Sequence, residues 1–470
     1  MEWQTLLCSD RIRKQKQHGT QDFRTPFEQD YHRIINSPSF RRLQDKTQVF
    51  TLDQSDFVRT RLTHSLEVSA IAKSLGQSVS VCILKEGKDP RFLPEYQAQV
   101  CDILQCAGLI HDIGNPPFGH FGETVIREWF LKHLDVLEMN GTKLSEILNE
   151  QMCRDFLCFE GNNQAFRLVT KLHFLTETPG MNLTKALLST IMKYPVSSLE
   201  IDPDSGDVRT KKTGYFYADR ENFALVQEAC GTGGARHPLC FILEAADDIA
   251  YRTADIEDGY RKGLISYEQL LRELKKRIDP EDEGQVLLVR KLEKRYSKGA
   301  GRGVTNPEEY AVRNWMVLLQ GVAIEQAAAQ FGKEYDSIMS GNYPYELLAG
   351  TPAGAIVNIL GDIAVEYIFH SELIYKREIS EEVILNFLLD KFVDAAIYYD
   401  TDRPLKPVQV KLMSLISENY ITVYRMYSVG KDEAEKLYLR LLLVTDYICG
   451  MTDNYAKSLY HSLNGINPIN

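Results

Sequence analysis

The stretch CAGLIHDIGNPPFGHFGE, from Cys106 to Glu123, contains the strongest indication of what this chain is. An apolar run leads to the adjacent pair His111 and Asp112, and the Gly- and Pro-rich turn GNPP follows directly. Helix propensity gives no reason to place an imidazole and a carboxylate beside such a turn, whereas both groups are common ligands of divalent metal ions. A helix end that opens onto a loop leaves a bound ion accessible to a substrate. The stretch therefore predicts a metal-dependent hydrolase.

Composition limits the class of protein. The chain has 470 residues, of which 44% are hydrophobic and 25% charged, as in ordinary globular proteins. The formal net charge of −11 argues against nonspecific binding of nucleic acid or membrane by the whole surface. Nine scattered cysteines without a CxxC pair favour reduced thiols, and we find neither a signal peptide nor a membrane-length apolar run. We therefore expect a cytoplasmic protein that does not use a membrane as partner.

Helical periodicity runs through most of the chain, so we expect an all-α fold. The expected helices are Leu62–Lys85, Glu95–His111, Asn162–Leu172, Leu183–Lys193, Arg236–Ala254, Ile356–His370, Glu381–Tyr399, Pro407–Tyr427 and Asp432–Gly450. Expected strands are limited to Thr47–Phe50 and a hairpin around Ile201–Tyr217. The charged stretch from Lys275 to Arg302 fits a solvated helix face, with a phosphate or nucleic-acid contact as the alternative.

Two further segments carry residues suited to a metal site. In RTRLTHSLEV, Arg61 and His64 lie three residues apart and share a helix face. In EAADDIAYRTADIEDG, Asp247, Tyr251 and Asp255 follow one another at intervals of four residues along one side of a helix. Taken singly, the histidine could be a partly buried core residue and Asp247 a member of a helix ion pair. Together with the pair His111 and Asp112, His64 and Asp247 form a set of four ligands on three helices. Such a set leaves coordination positions open for water and substrate.

Seven ordered sequence blocks resemble the deoxyguanosinetriphosphate triphosphohydrolases, a family of HD-domain phosphohydrolases. The blocks are FRRLQDKTQVF (Phe40–Phe50), RTRLTHSLEV (Arg59–Val68), LIHDIGNPPFGHFGE (Leu109–Glu123), FEGNNQAFRLV (Phe159–Val169), MKYP (Met192–Pro195), EAADDIAYRTADIEDG (Glu244–Gly259) and DYICGMTDNYA (Asp446–Ala456). An isolated His-Asp pair is common, but seven blocks in this order are specific. The resemblance implies an all-α fold with an N-terminal segment (1–58) that contributes to the nucleotide pocket, a helical HD core (59–258) and a helical C-terminal extension (259–470).

The resemblance also implies roles for individual residues. It assigns metal binding to His64, His111, Asp112 and Asp247. It assigns catalysis to His120 and Glu123, whose i, i+3 spacing fits a hydrogen-bonded pair. It assigns deoxyribose recognition to Gln48, Tyr251 and Asp255, and triphosphate contacts to Arg61, Lys193 and Tyr194. The Lys211–Lys212 pair is a less secure phosphate contact, and Asn454 departs from the basic residue that family members often carry.

The implied reaction is hydrolysis of dGTP, with other dNTPs open, to a deoxynucleoside and inorganic tripolyphosphate. The implied cofactor is a divalent ion, Mg²⁺ or Mn²⁺, although Fe²⁺, Co²⁺ and Zn²⁺ also suit such ligands. The implied partners are further copies of the chain, in a hexamer, and single-stranded DNA as an effector. The alternatives are an HD-domain phosphohydrolase acting on another nucleotide and a non-enzymatic regulator that binds nucleotide or nucleic acid. Two roles stay open for His120, protonation of the leaving group and delivery of the nucleophile.

Overall fold

The computed structural model describes residues 1–13, 22–50, 58–173 and 179–466, and these residues form an all-α fold, as the sequence predicts. The first helices are α1 (Trp3–Leu6), α2 (Pro26–Ile35), α3 (Pro38–Arg42), α4 (Arg61–Glu86), α5 (Tyr96–Ile110), α6 (Gly119–His133), α7 (Leu144–Ile147), α8 (Glu150–Leu157), α9 (Gly161–Arg167), α10 (Lys185–Thr190), α11 (Arg220–Cys230) and α12 (Pro238–Arg261).

The remaining helices make up the C-terminal part of the chain. They are α13 (Tyr267–Arg277), α14 (Glu283–Gly301), α15 (Pro307–Lys333), α16 (Tyr335–Met339), α17 (Pro352–Ala364), α18 (Glu372–Ala396), α19 (Pro407–Leu415), α20 (Glu418–Ser428), α21 (Glu433–Cys449) and α22 (Asp453–Leu463). Short 3₁₀ or π turns occupy Leu43–Asp45, Leu168–Leu172, Pro203–Ser205, Tyr217–Asp219 and Val365–Phe369. Two-residue strands, β1 (Glu138–Met139) and β2 (Thr142–Lys143), pair antiparallel.

Helices α4 and α5 form the pair on which the site is built. Helix α4 begins at a capping box in which the Thr60 and Thr63 hydroxyls each accept the backbone N–H of the other residue. A Cβ added at Gly108 would lie 2.5 Å from the Cα atom of Ser69, so only glycine lets the two backbones approach this closely. The close approach brings His64, near the start of α4, beside His111, at the end of α5.

Helix α12 packs on both members of this pair. Pro238 is its first residue, which suits a position where the backbone N–H is not needed, and the His237 side chain caps it by accepting the N–H of Leu239. The helix continues to Arg261, seven residues beyond its predicted end at Ala254. Asp247, Tyr251 and Asp255 therefore lie on one continuous helix, as the periodic spacing required.

The C-terminal helices pack directly on the helices of the site. Helix α15 contacts α4, α17 contacts α12, and α18 contacts α6. These contacts join the predicted regions into one core. The boundaries at residues 58 and 258 therefore do not coincide with a visible gap in packing among the described residues, and they stay a prediction. The stretch Pro352–Phe369 is long and apolar enough to cross a membrane by length and composition alone, but half of it is buried inside the protein. It packs against α12, α13 and α14, which is the environment of a core helix.

Both predicted strands and one predicted helix differ in kind from the structure. The hairpin around Ile201–Tyr217 is an irregular loop with a single backbone hydrogen bond across it, from the Asp202 N–H to the Thr210 carbonyl oxygen. Pro203 lacks the N–H that a strand ladder would need. The strand at Thr47–Phe50 reduces to one isolated bridge to Thr60. The helix predicted over Pro407–Tyr427 is two helices, α19 and α20, which meet at extended backbone.

Candidate active site

Three of the four predicted metal ligands converge where α4, α5 and α12 meet. One ligand atom from each of His64, His111 and Asp247 lies within 4.8 Å of the other two. The Oδ1 atom of Asp247 is 3.1 Å from the Nε2 atom of His64 and 3.4 Å from the Nε2 atom of His111. Two imidazoles and a carboxylate on three separate helices form a mixed nitrogen and oxygen donor set suited to a divalent ion.

The surroundings of His111 fit a metal ligand. Its Nδ1–H donates to the carbonyl oxygen of Gly108 at 2.9 Å, which leaves the Nε2 lone pair directed at the other donors. This Nε2 atom is buried and has no hydrogen-bond partner among the described residues. Burial lowers the pKa of His111, but Asp112 and Asp247 outweigh burial and raise the pKa to about 9. The same negative surroundings would stabilise a bound cation, so the residues present fit a divalent metal.

Asp112 lies beside the three converging residues and is already hydrogen-bonded. Its Oδ2 atom accepts a bond from Arg61 at 2.5 Å, and its Oδ1 atom accepts one from Asn115 at 2.8 Å and lies 3.7 Å from the Nε2 atom of His111. Burial raises the pKa of Asp112, but His111 and Arg61 outweigh burial and hold it well below its usual range. The carboxylate is thus ionised and oriented, and its role as a fourth ligand stays a prediction. Sequence reasoning missed Asn115.

His120 and Glu123 form the predicted pair on the first turn of α6. The Nδ1–H of His120 donates to Glu123 at 3.0 Å, and the second oxygen of Glu123 accepts the backbone N–H of Gly161 at 2.7 Å. Glu123 is 2% exposed, whereas the His120 side chain is 69% exposed. The charge of Glu123 and its hydrogen bond raise the pKa of His120. A buried carboxylate therefore orients an accessible imidazole and favours its protonated form.

Gly161 is a positioning residue that sequence reasoning missed, although the block FEGNN contained it. A Cβ added at Gly161 would lie 1.9 Å from an Asn115 side-chain oxygen and 2.8 Å from Glu123. Only glycine therefore leaves room for the backbone N–H to reach the carboxylate of Glu123.

The predicted triphosphate contacts lie around the same site. The Arg61 guanidinium passes over Gly119, where an added Cβ would lie 2.3 Å from Nη2. The Lys193 ammonium pairs with Glu244, one turn before Asp247 on α12, and sequence reasoning did not single out this carboxylate. Burial lowers the pKa of Lys193, but Glu244 raises it well above its usual value, so the lysine is charged. Tyr194 is buried, and burial raises the pKa of its hydroxyl.

The predicted deoxyribose residues present two buried oxygen atoms without partners. Neither Oε1 of Gln48 nor Oδ2 of Asp255 has a hydrogen-bond partner among the described residues. Burial, and then the charge of Asp258, raise the pKa of Asp255 well above its usual value. The Tyr251 ring lies one turn after Asp247, with its centroid 6.4 Å from that of His64. Unsatisfied buried acceptors of this kind are what a ligand hydroxyl would complete.

The less secure phosphate contact, the departure at Asn454 and the charged stretch all involve residues that have carboxylate partners. Lys212 donates to Glu160 at 2.9 Å, and Asn454 donates to Asp45 at 2.5 Å. In the charged stretch from Lys275 to Arg302, Lys275 donates to Glu293 at 2.6 Å on exposed helix surface. The contacts of Asn454 and Lys275 favour structural roles, whereas a phosphate contact by Lys212, which pairs with a carboxylate as Lys193 does, stays a prediction.

Comparisons with known proteins agree with this geometry. The HD domain family model matches residues 61–188, which include His64, His111 and His120. The chain is 44% identical to a deoxyguanosinetriphosphate triphosphohydrolase-like protein of Listeria monocytogenes over 99% of this chain and 100% of the relative. It is 32% identical to a protein of the same name from Synechocystis, over 99% and 100% of the two chains. It is also 32% identical to a deoxyguanosinetriphosphate triphosphohydrolase of Yersinia enterocolitica, over 93% of each chain. The chain therefore belongs to the deoxyguanosinetriphosphate triphosphohydrolase-like family of HD-domain phosphohydrolases.

Proposed function

We propose that this phosphohydrolase converts dGTP, and other dNTPs to an extent set by its base pocket, into a deoxynucleoside and inorganic tripolyphosphate. The observation that carries the proposal is the arrangement along α12. Asp247 meets His64 and His111, and the next two turns of the same helix face present Tyr251 and Asp255. A metal-bound α-phosphate would therefore place its sugar along this face.

The donor set would hold one divalent ion through His64, His111 and Asp247, with Asp112 as the proposed fourth ligand. When bound, such an ion neutralises phosphate charge and lowers the pKa of water, so that hydroxide is available near neutral pH. Mg²⁺ and Mn²⁺ are the proposed ions, while Fe²⁺, Co²⁺ and Zn²⁺ also suit nitrogen and oxygen donors.

The chain's own side chains bind the triphosphate and move the proton. Arg61, Lys193 and Tyr194 would contact phosphate oxygens, so that charge developing in the transition state meets fixed partners. A bond would form between the water oxygen and the α-phosphorus while the bond from phosphorus to the sugar 5′-oxygen breaks, and the proton lost by the water would pass to solvent, from which His120 is reprotonated. His120 would donate its proton to that 5′-oxygen, a poor leaving group, while Glu123 holds the ring and favours the imidazolium.

The sugar would be recognised by its 3′-hydroxyl and by the absence of a 2′-hydroxyl. The unpartnered oxygens of Gln48 and Asp255 would form hydrogen bonds with the 3′-hydroxyl. The Tyr251 ring would pack where a 2′-hydroxyl would project. A hexameric assembly, control by single-stranded DNA and a cytoplasmic location stay predictions beside this activity.

The test is to incubate the protein with each dNTP and each NTP, with Mg²⁺ or Mn²⁺, and to separate tripolyphosphate from pyrophosphate and phosphate. We expect tripolyphosphate and deoxynucleoside in equal amounts, from deoxynucleotides in preference to ribonucleotides. His111→Ala is the control for a contaminating phosphatase. Release of pyrophosphate or phosphate, or turnover of guanosine tetraphosphate alone, would identify a different HD-domain phosphohydrolase. Nucleotide binding without any turnover would identify a regulator.

A further inference from the structure

We propose that Asp453, at the start of α22, is a positioning residue that fixes the turn before His120 against the segment that carries Gln48. It lies in the block DYICGMTDNYA, to which no role in the site has so far been given. Its kinetic consequences rest on the proposed function, whereas its structural consequence does not.

One carboxylate joins the two segments. Asp453 is 2% exposed, and its Oδ2 atom accepts both the backbone N–H of Thr47, at 2.9 Å, and the Thr47 hydroxyl, at 2.6 Å. Its Oδ1 atom accepts the backbone N–H of Phe118 at 2.9 Å. The Thr452 side chain caps α22 and so fixes the helix end that presents the carboxylate. Three donors thus converge on one buried carboxyl group and join the two segments.

The turn that Asp453 holds has an uncommon backbone. Phe118 has a φ of 66° and Gly119 a φ of 61°, and the first value is rare for a bulky residue. Such a conformation persists only where the surroundings determine it. His120 follows two residues after Phe118, so its position depends on this turn.

Lys46 makes a second link between the same parts of the chain. Its ammonium group is buried and donates to the carbonyl oxygens of Asn115, at 2.6 Å, and Cys449, at 2.7 Å. Its own carbonyl oxygen accepts the backbone N–H of Arg61 at 2.8 Å. The C-terminal helices thus contact both the segment before Gln48 and the turn before His120, and Asp453 is the residue of this network that bonds Phe118.

Loosening the bonds to Thr47 and loosening the bond to Phe118 should change different measured quantities. Thr47 precedes Gln48, which is proposed to read the 3′-hydroxyl, and Phe118 precedes His120, which is proposed to transfer the proton. An asparagine at position 453 has one acceptor oxygen, and its NH₂ group would face an N–H donor on one side. Asp453→Asn should therefore loosen the link with little change in volume.

The experiment compares the Asp453→Asn variant with the unaltered protein in the presence of Mn²⁺. We expect kcat for dGTP to fall roughly 10- to 100-fold, as small misplacements of catalytic groups do. The preference for dGTP over 2′,3′-dideoxy-GTP should also fall, and bound metal should stay at the level of the unaltered protein. Hydrogen exchange of the peptide containing Phe118 should quicken roughly tenfold or more, because a local restraint is lost.

Asn454→Ala is the matched control. Asn454 is adjacent to Asp453 and exposed, and its side chain donates to Asp45, which is outside the turn before His120. It should leave all four measurements near those of the unaltered protein. Equal losses in both variants would overturn the proposal, because they would indicate general docking of α22. Unchanged kcat, sugar preference and exchange in folded Asp453→Asn would also overturn it.

Two further outcomes have defined meanings. If Asp453→Asn does not fold, Thr47→Val, which removes one of the three hydrogen bonds, takes its place under the same criteria. If the unaltered protein hydrolyses no dNTP, the proposed function fails, and hydrogen exchange alone decides the link. Faster exchange at Phe118 in Asp453→Asn then supports it, and unchanged exchange overturns it.

Discussion

The metal side and the phosphate side of the candidate site differ in how their side chains are engaged. On the metal side, His64, His111 and Asp247 direct donor atoms at one another, and the Nε2 atom of His111 has no hydrogen-bond partner among the described residues. On the phosphate side, both predicted cations already have anionic partners.

If a triphosphate binds these cations as proposed, it has to displace the carboxylates that already pair with them. Arg61 donates to Asp112 at 2.5 Å, and Lys193 pairs with Glu244. A divalent ion would replace the proton shared by His64 and Asp247 and would meet the unpartnered Nε2 atom of His111, whereas a triphosphate would compete with two carboxylates for its cations. On the proposed function, we therefore expect metal affinity to depend on preorganised donors and substrate affinity to depend on an exchange of ion pairs.

The largest effect is expected from substitutions that remove a metal ligand. His111→Ala or Asp247→Ala should lose the bound divalent ion and slow hydrolysis by roughly 10³-fold or more, since such an ion supplies several kcal/mol of charge stabilisation. Elemental analysis and turnover measure the two losses. Asp248→Asn, on a different stripe of α12 and paired with Arg252, is the control and should keep its metal. Full metal occupancy with retained turnover in either alanine variant would contradict the assignment.

The next effect separates proton transfer from metal binding. His120→Ala should lower kcat by roughly 10²-fold or more, the usual contribution of a general acid. Metal content and KM should change little, because His120 is outside the converging donor set. Loss of metal in this variant would place His120 among the ligands and would break the division between the two sides.

A smaller effect concerns pH. Glu123 raises the pKa of His120, so the imidazolium, and with it the acid function, persists to higher pH and is lost as pH rises through that pKa. Arg61, from α4, opposes this shift and Asp112 assists it. Glu123→Gln should therefore move the alkaline limb of the kcat profile to lower pH. The profile from pH 6 to 10 tests this, and an unmoved limb would show that another group limits the rate.

The smallest expected effect concerns the phosphate side. Glu244→Gln removes the carboxylate that competes for Lys193, so KM for dGTP should fall by roughly 2- to 5-fold with kcat nearly unchanged, as a charge interaction of this modest size implies. Steady-state kinetics at two ionic strengths measures it. A rise in KM would mean that Glu244 holds Lys193 in place for the triphosphate, and the contrast between the two sides would need revision.

The fold class was predictable because helical spacing is a short-range pattern, whereas the convergence of His64, His111 and Asp247 from three helices was expected from the family resemblance. Helical spacing placed Asp247, Tyr251 and Asp255 on one face, and the apolar run before His111 predicted the end of α5. The break between α19 and α20 was missed because no proline or glycine marks it. Of the two expected strands, one is an isolated bridge and the other an irregular loop.

Contacts between distant segments could not be predicted from one sequence. The ion pair of Lys193 with Glu244 and the bonds of Asp453 to Thr47 and Phe118 join residues far apart in the chain. Periodicity places residues on a face but does not identify the residue opposite them. The spacing within a helix could therefore be used for prediction, whereas the partners across the core could not be predicted.

On the proposed function, water attacks the α-phosphorus at this candidate metal site. The most direct measurement is hydrolysis of dGTP with Mn²⁺ in ¹⁸O-labelled water, followed by mass spectrometry of both products. We expect one ¹⁸O atom in tripolyphosphate and none in deoxyguanosine. Label in deoxyguanosine, or labelled phosphate or pyrophosphate in place of tripolyphosphate, would contradict it.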